Sequence, residues 1–346
     1  MPDDREHLPP DEIAAILGAF GVSATQSVRE LARGSRHSPK LLIESSLGRL
    51  VLKRRAAGRD KPERVRQSHR LIARLRDFNL PAPRVLLTTG GASFVERDGR
   101  IHELIEFLPG EAYDGSLSRT TAAGEMLARL HAALADLPAD PGASRASYHD
   151  LRAVRNGLNA IPTVTSGHDS VVGREAELLA ATQWMHEQYD AAADEVNAAG
   201  FAEWNAAWIH GDWHPGNLLF SGGDVCGILD LDSARIAPAV IDLANGMLQF
   251  SILRGGGDPL AWPAYFDEAR MRRFLLGYQG VTPVPAVQRR VLPALMVESL
   301  IAESVVPIAA TGSFGRMPGY GVLMMVARKA RWIRENESDL RRWIMD

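Results

Sequence analysis

In "WIHGDWHPGNLLF", residues 208–220, His210, Asp212, His214 and Asn217 stand between two apolar runs. Polar groups packed that densely between apolar segments form a loop whose side chains converge on something charged. The flanks "AAWI" and "NLLF" have strand length, and after Ser221-Gly222-Gly223-Asp224 the run "VCGILD" reads as a third apolar strand ending at Asp230. A hairpin between 218–220 and 225–229 brings the end of the third strand back beside the start of the second, so Asn217 and Asp230 become neighbours. An amide oxygen beside a carboxylate is a hard, oxygen-rich pair that suits Mg²⁺ better than zinc. Asp212 precedes Asn217 on the same loop. Its carboxylate can accept a proton from a substrate hydroxyl while a metal neutralises phosphate charge.

Other chemistries compete for these residues. His210, Asp212 and His214 alternate, as ligands presented to a transition metal by an extended segment do, but no further His or Cys cluster completes the shell. Asp230-Leu231-Asp232 after an apolar strand has the form of a glycosyltransferase D-x-D, yet the repeated βαβ pattern of a nucleotide-sugar domain is missing upstream. A buried turn that only hydrogen-bonds its own polar groups explains one histidine and explains the whole set poorly.

The rest of the chain must position this loop. After Pro9-Pro10, "DEIAAILGAF" spaces Ile13, Ile16, Leu17 and Phe20 as a helix, with Asp11 as its N-cap. "KLLIESSLGRLVLKRR" reads as a hairpin, and "PERVRQSHRLIARLRDFNLPAP" as a helix stopping at Asn79 and Pro81. "RVLLTTGGASFVERDG" and "RIHELIEFLPG" read as strands joined by turns. Residues 1–108 are therefore an α+β lobe around an antiparallel sheet. Pro109-Gly110 marks a composition shift, and 109–346 is mainly helical apart from the opening motif. The tail "RKARWIRENESDLRRW" carries mixed charge at helical spacing and reads as a solvated face.

Composition excludes several classes. The 346 residues suffice for one large or two medium units. With Lys+Arg 39 against Asp+Glu 42, the net charge of −3 argues against a nucleic-acid partner. Cys226 is the one cysteine, which rules out an intrachain disulfide and a multi-cysteine zinc site and fits the cytoplasm. "MPDDREHLPP" lacks the layout of a signal peptide. The apolar stretch 291–312 is interrupted by Glu298 and Glu303 and reads as a buried helix pair, so no membrane partner is expected.

"HGDWHPGN" followed by "GILDLDSARIAPAVIDLA" resembles the catalytic signature of the aminoglycoside phosphotransferase, choline kinase and homoserine kinase superfamily of small-molecule kinases. The resemblance extends more weakly over nearly the whole chain. It implies a protein-kinase-like two-lobed α+β fold, with ATP held by the first lobe and a small-molecule hydroxyl acceptor by the second. By the same resemblance Asp212 is the catalytic carboxylate, Asn217 and Asp230 are Mg²⁺ ligands, His210 is a structural member of the loop, and Asp242 braces that loop from behind. Asp232, Arg235 and Trp213 become candidates for substrate or second-metal contact. In the first lobe, "RLVLKRR" places Lys53 at the position of the phosphate-binding lysine, which acts as a point charge. "LIEFLPG" resembles the hinge, where the backbone of Glu106, Phe107 and Leu108 meets adenine.

Two departures from the family pattern stand out. The loop "ARGSRHSP" is not glycine-rich, and the helix glutamate that pairs with the lysine is missing where it aligns, at Ser68 or His69, leaving Glu63 as the candidate partner. For the acceptor, Arg235, Trp262, Tyr265, Tyr278 and Glu298 are available in 235–330. The junction "EFLPGEAYDGSL" is closer to the homoserine kinase-like branch than to aminoglycoside or sugar kinases, and Arg235 favours an acceptor with a carboxylate. A nucleotide-binding pseudokinase or regulator is the alternative from another class.

Overall fold

The computed structural model describes residues 6–31, 37–140 and 142–346. Its elements in chain order begin with α1 (Pro10–Ala19), β1 (Thr25–Glu30), β2 (Lys40–Ser45), β3 (Gly48–Arg54), α2 (Pro62–Asp77), β4 (Val95–Arg97) and β5 (Arg100–Glu106). There follow α3 (Leu117–Leu134), α4 (Arg152–Val164), α5 (Glu175–Ala198), β6 (Ala206–Ile209), β7 (Leu218–Ser221), β8 (Asp224–Ile228) and β9 (Arg235–Pro238). The remainder is α6 (Val240–Ser251), α7 (Glu268–Gln279), α8 (Ala286–Arg290), α9 (Leu292–Thr311), α10 (Gly319–Glu335) and α11 (Glu337–Met345).

Two compact units divide the chain. One takes Met1–Ala112, Asp140–Ala143 and Asn217–Ala234, the other Tyr113–Ala139, Ser144–Gly216 and Arg235–Asp346. This differs from a single cut after Leu108, because the β7–β8 hairpin belongs to the first unit. The cause is backbone pairing: Glu111 and Phe220 exchange N–H···O bonds of 2.8 and 2.9 Å, and Ile228 N–H donates to Pro81 C=O at 2.7 Å.

The first unit is built on a five-stranded sheet of order β1-β2-β3-β5-β4, antiparallel at every pairing. Side chains alternate across a strand, so β2, β3 and β5 each present one apolar and one mixed face. Leu41, Ile43, Leu50, Leu52 and Leu104 join Ile16, Leu17 and Phe20 of α1 in one core cluster. The residues of opposite parity, Lys53 and Glu103 among them, face the other way.

Several local expectations need correction. The helix α1 begins at Pro10 with Pro9 as N-cap, so Asp11 lies in the first turn rather than capping it. The segment 84–94 is irregular, with an isolated Val85–Ile105 bridge and a strand only at Val95–Arg97, because its Thr-Thr-Gly-Gly cluster forms turns. The polar, fully exposed β1 gave no apolar signal. Within the loop "ARGSRHSP", residues 32–36 lie outside the described residues.

The second unit is mainly helical. Gly124 of α3 and Gly277 of α7 meet backbone so closely that a Cβ on either would sit 2.1 Å from a carbonyl oxygen of the other helix. Only glycine permits that approach. Where a helix pair was expected over 291–312, one continuous helix, α9, runs from Leu292 to Thr311, since Glu298 and Glu303 find hydrogen-bond donors and need not break it. It is long and apolar enough to cross a membrane by length and composition, and 78% of its apolar window is buried inside the fold.

Candidate active site

In the first unit, Lys40, Lys53 and Glu103 form one row across three neighbouring strands, Lys40 opposite Lys53 and Lys53 opposite Glu103. Lys53 is buried, and its Nζ lies 2.7 Å from Asp232 Oδ2, 3.4 Å from Asp230 Oδ1 and 3.4 Å from Glu103 Oε1. Arg55, two residues along β3's direction and therefore on the same face, donates to Glu103 Oε2 at 2.8 Å and contacts Asp232 Oδ1 at 2.6 Å. Two cations and two carboxylates thus alternate in a closed ring: Lys53, Glu103, Arg55, Asp232. Burial works against the charge on Lys53, but Asp232, Glu103 and Asp230 hold its pKa above the usual lysine value. Burial likewise opposes ionisation of Glu103, and Lys53, Arg55 and His69 hold it well below the ordinary carboxylate range.

The carboxylates around Lys53 therefore come from β5 and the segment after β8, and Glu63 is not among them. Glu63 lies in the first turn of α2 on the solvent side. Ser68 and His69 of that helix are both buried, and His69 Nε2 donates to Glu103 Oε2 at 2.6 Å. Lys40, which local reasoning missed, is half-buried with its pKa held down by burial and by the charge of Lys53. An acidic residue in the middle of the strand-like run "RIHELIE", next to Leu104 and Ile105, was the available signal for Glu103.

Asp232, a candidate for substrate or second-metal contact, is an ion-pair anchor within the ring. Asp230 adopts a left-handed backbone (φ 60°), a strained conformation for a residue other than glycine that the surrounding structure must enforce. Leu229 N–H donates to Asn217 C=O at 2.9 Å, which ties the two ends of the hairpin together. Asn217 and Asp230 offer only oxygen ligands to a metal. Among the described residues no three His, Cys, Asp or Glu side chains group to hold one. One amide and one carboxylate fit a cation that completes its shell with water and phosphate oxygens. In the hinge segment, Glu106 N–H donates to Arg84 C=O and Phe107 N–H to Arg49 C=O, at 2.8 and 3.0 Å. The guanidinium of Arg49 lies 4.1 Å from the Phe107 ring centroid.

In the second unit, the loop after β6 is held by Asp242 at the start of α6. Asp242 is buried and accepts from His210 N–H at 2.7 Å and Gly211 N–H at 3.0 Å. His131 Nε2 donates to the same carboxylate at 3.2 Å, and Tyr278 Oη meets His131 Nδ1 at 2.8 Å. Burial tends to raise the Asp242 pKa, yet the His131 hydrogen bond and the charges around it keep it below the usual value. Gly211 has φ 77°, which glycine adopts without strain. The clamped backbone leaves the side chain of Asp212 43% exposed and within 3.7 Å of His214 Nε2.

The second unit also reassigns several candidates. Trp213 is fully buried and packs edge-on against His210, with ring centroids 5.2 Å apart, so it supports the loop from inside and is not available to a substrate. Arg235 donates to Ala146 C=O at 3.1 Å and Gly211 C=O at 3.4 Å, which makes it a brace of the loop backbone. Tyr278 is committed to His131. Glu298 is buried and accepts from His149 Nδ1 at 2.8 Å and Asp150 N–H at 3.0 Å. Trp262 is half-buried and Tyr265 exposed.

Residues 27–281 match the model of the phosphotransferase enzyme family. A homoserine kinase of Caulobacter sp. (strain K31) is 26% identical over 290 residues, covering 82% of this chain and 81% of that protein. Two solved structures share the fold: a microcompartment-associated aminopropanol kinase (TM-score 0.70, 16% identity, 94% of this chain and 96% of that one) and an aminoglycoside phosphotransferase from Alicyclobacillus acidocaldarius (TM-score 0.69, 16% identity, 98% and 97%). With the match spanning well over half of its length, the chain belongs to the phosphotransferase enzyme family and has that family's protein-kinase-like fold.

Proposed function

We propose that this phosphotransferase moves the γ-phosphoryl group of ATP to the hydroxyl of a small amino acid or amino alcohol. The observation that carries the reading is the exposed Asp212 carboxylate on a loop whose backbone is clamped by Asp242. A group so held has a fixed backbone and a solvent-exposed carboxylate, as a residue that orients or deprotonates an acceptor hydroxyl must have. Within the first unit, the Lys53 ring is the group we assign to phosphate. Of its contacts, the 3.4 Å approaches to Asp230 and Glu103 are the longer ones, and the Asp230 carboxylate, which lies outside the closed ring, is the one we expect a phosphate oxygen to replace.

Asn217 and Asp230 would hold Mg²⁺, which when bound neutralises phosphate charge. Adenine recognition needs one C=O and one N–H. With the Phe107 and Glu106 N–H groups already used, the Leu108 N–H and the Glu106 C=O are the pair we assign to it. Homoserine kinase relatives over four-fifths of the chain and the aminopropanol kinase neighbour support an acceptor carrying both an amine and a hydroxyl.

The test is acceptor-dependent ADP release from Mg·ATP by the full chain, with homoserine, serine, choline, ethanolamine, aminopropanol, hexosamines and aminoglycosides as acceptors and Asp212→Asn as control. Release with an amino acid or amino alcohol that falls about 10²- to 10⁴-fold in the variant supports the reading. Wild-type turnover by Asp212→Asn would sink it.

A further inference from the structure

Near Asp212 in the second unit, Glu303 of α9 is a half-buried carboxylate with only neutral hydrogen-bond partners. Asn245 Nδ2 donates to its Oε1 at 2.6 Å, and Gln249 Nε2 donates to its Oε2. Asn245 and Gln249 are one turn apart on α6 and so share a face. Among the described residues no Lys, Arg or His forms an ion pair with Glu303. Burial, and then the negative charge of Asp212, push its pKa up to about 7. The side chain of Asn245 is 4% exposed, and its Oδ1 accepts from no donor among the described residues. In addition, Pro307 has no N–H, so the Glu303 carbonyl lacks its usual helical donor.

The Glu303 carboxylate, an orphaned amide oxygen and a carbonyl without its helical donor are all acceptors, and among the described residues no cation pairs with Glu303. Each amide N–H already occupies one lone pair of Glu303, leaving directional acceptor sites. A compact group with several N–H donors and a positive charge complements that set. A metal would need more ligands than are gathered there.

We infer that Glu303 and Asn245 bind the ammonium group of the acceptor and thereby select alcohols that carry a protonated amine, with the hydroxyl presented to Asp212. The inference rests on the phosphotransfer reading above and adds the residues that impose amine selectivity. Charge-assisted hydrogen bonds of this kind discriminate by about 10- to 100-fold.

The experiment compares matched acceptors with and without the amine, aminopropanol against propanol and homoserine against 4-hydroxybutanoate, by ADP release from Mg·ATP. Wild type should prefer the amine-bearing member, and Glu303→Gln should reduce that preference about 10- to 100-fold through KM rather than kcat. Asn245→Leu, checked for folding by circular dichroism, should move the ratio the same way. An unchanged preference in a folded Glu303→Gln protein, or no preference in wild type, overturns the inference while acceptor-dependent turnover keeps the kinase reading intact. If no acceptor of either kind is turned over, both fall together.

Discussion

His69 on α2 donates to Glu103 on β5 at 2.6 Å, and the pair stands where the family resemblance led one to look for a helix carboxylate. The negative charge facing Lys53 has moved from the helix to the neighbouring strand, and the helix contributes the donor that orients it. Glu103→Gln should therefore raise the KM for ATP about 10-fold. His69→Ala should act in the same direction, and Glu63→Ala should leave the KM unchanged. Steady-state kinetics with ATP as the varied substrate decide this, and an equal effect of Glu63→Ala would contradict the assignment.

Lys40 faces Lys53 directly across β2 and β3, and like charges so placed cost about 0.2–1 kcal/mol. Burial and then the charge of Lys53 hold the Lys40 pKa down, and we expect a bound phosphate to relieve this repulsion. Lys40→Met should raise the melting temperature slightly and raise the KM for ATP several-fold. A variant that gains stability with no change in nucleotide affinity would assign Lys40 no such role.

Asp242 serves two loop N–H groups with its two oxygens, so Asp242→Asn must set an amide N–H₂ against one of them. We expect kcat to fall about 10- to 100-fold with stability lower by about 1–3 kcal/mol. Because the folded pKa lies below the unfolded one, the stabilisation from this group is present above the ordinary aspartate range and is lost as pH falls through the folded value. Acid unfolding of wild type and variant should converge at low pH.

Glu303 has the opposite sign. Its folded pKa of about 7 exceeds the ordinary 4.5, so the folded state holds a proton that the unfolded state has released. The associated stability is full below about pH 4.5, declines as pH rises through 7, and then stays level. Asp212, Asn245, Gln249 and Ser299 face this carboxyl. In Glu303→Gln, denaturant titrations across that window should lose this decline.

Arg235 separates a bracing role from recognition of an acceptor carboxylate. Arg235→Met should lower kcat about 10-fold through a looser Gly211 backbone and leave unchanged the preference between acceptors with and without a carboxylate. A selective loss of carboxylate-bearing acceptors would restore the recognition role.

The sequence by itself determined the fold class and the family, because the loop, the hairpin and Asp230 are compressed into one short stretch where apolar runs and polar groups alternate at readable spacing. The candidates Asp212, Asn217 and Asp230 followed from that local pattern. The tertiary structure decided what cross-strand register and helix packing control: Glu103 beside Lys53, the closed ring with Arg55 and Asp232, and the grouping of Glu303 with Asn245. It also decided which side chains were absorbed. Trp213, Tyr278 and Glu298 look like site residues by type, but burial and their partners commit them to holding the loop and the helices in place. Residue type sets what a group can do, and only the packing around it decides whether the group is free to do it.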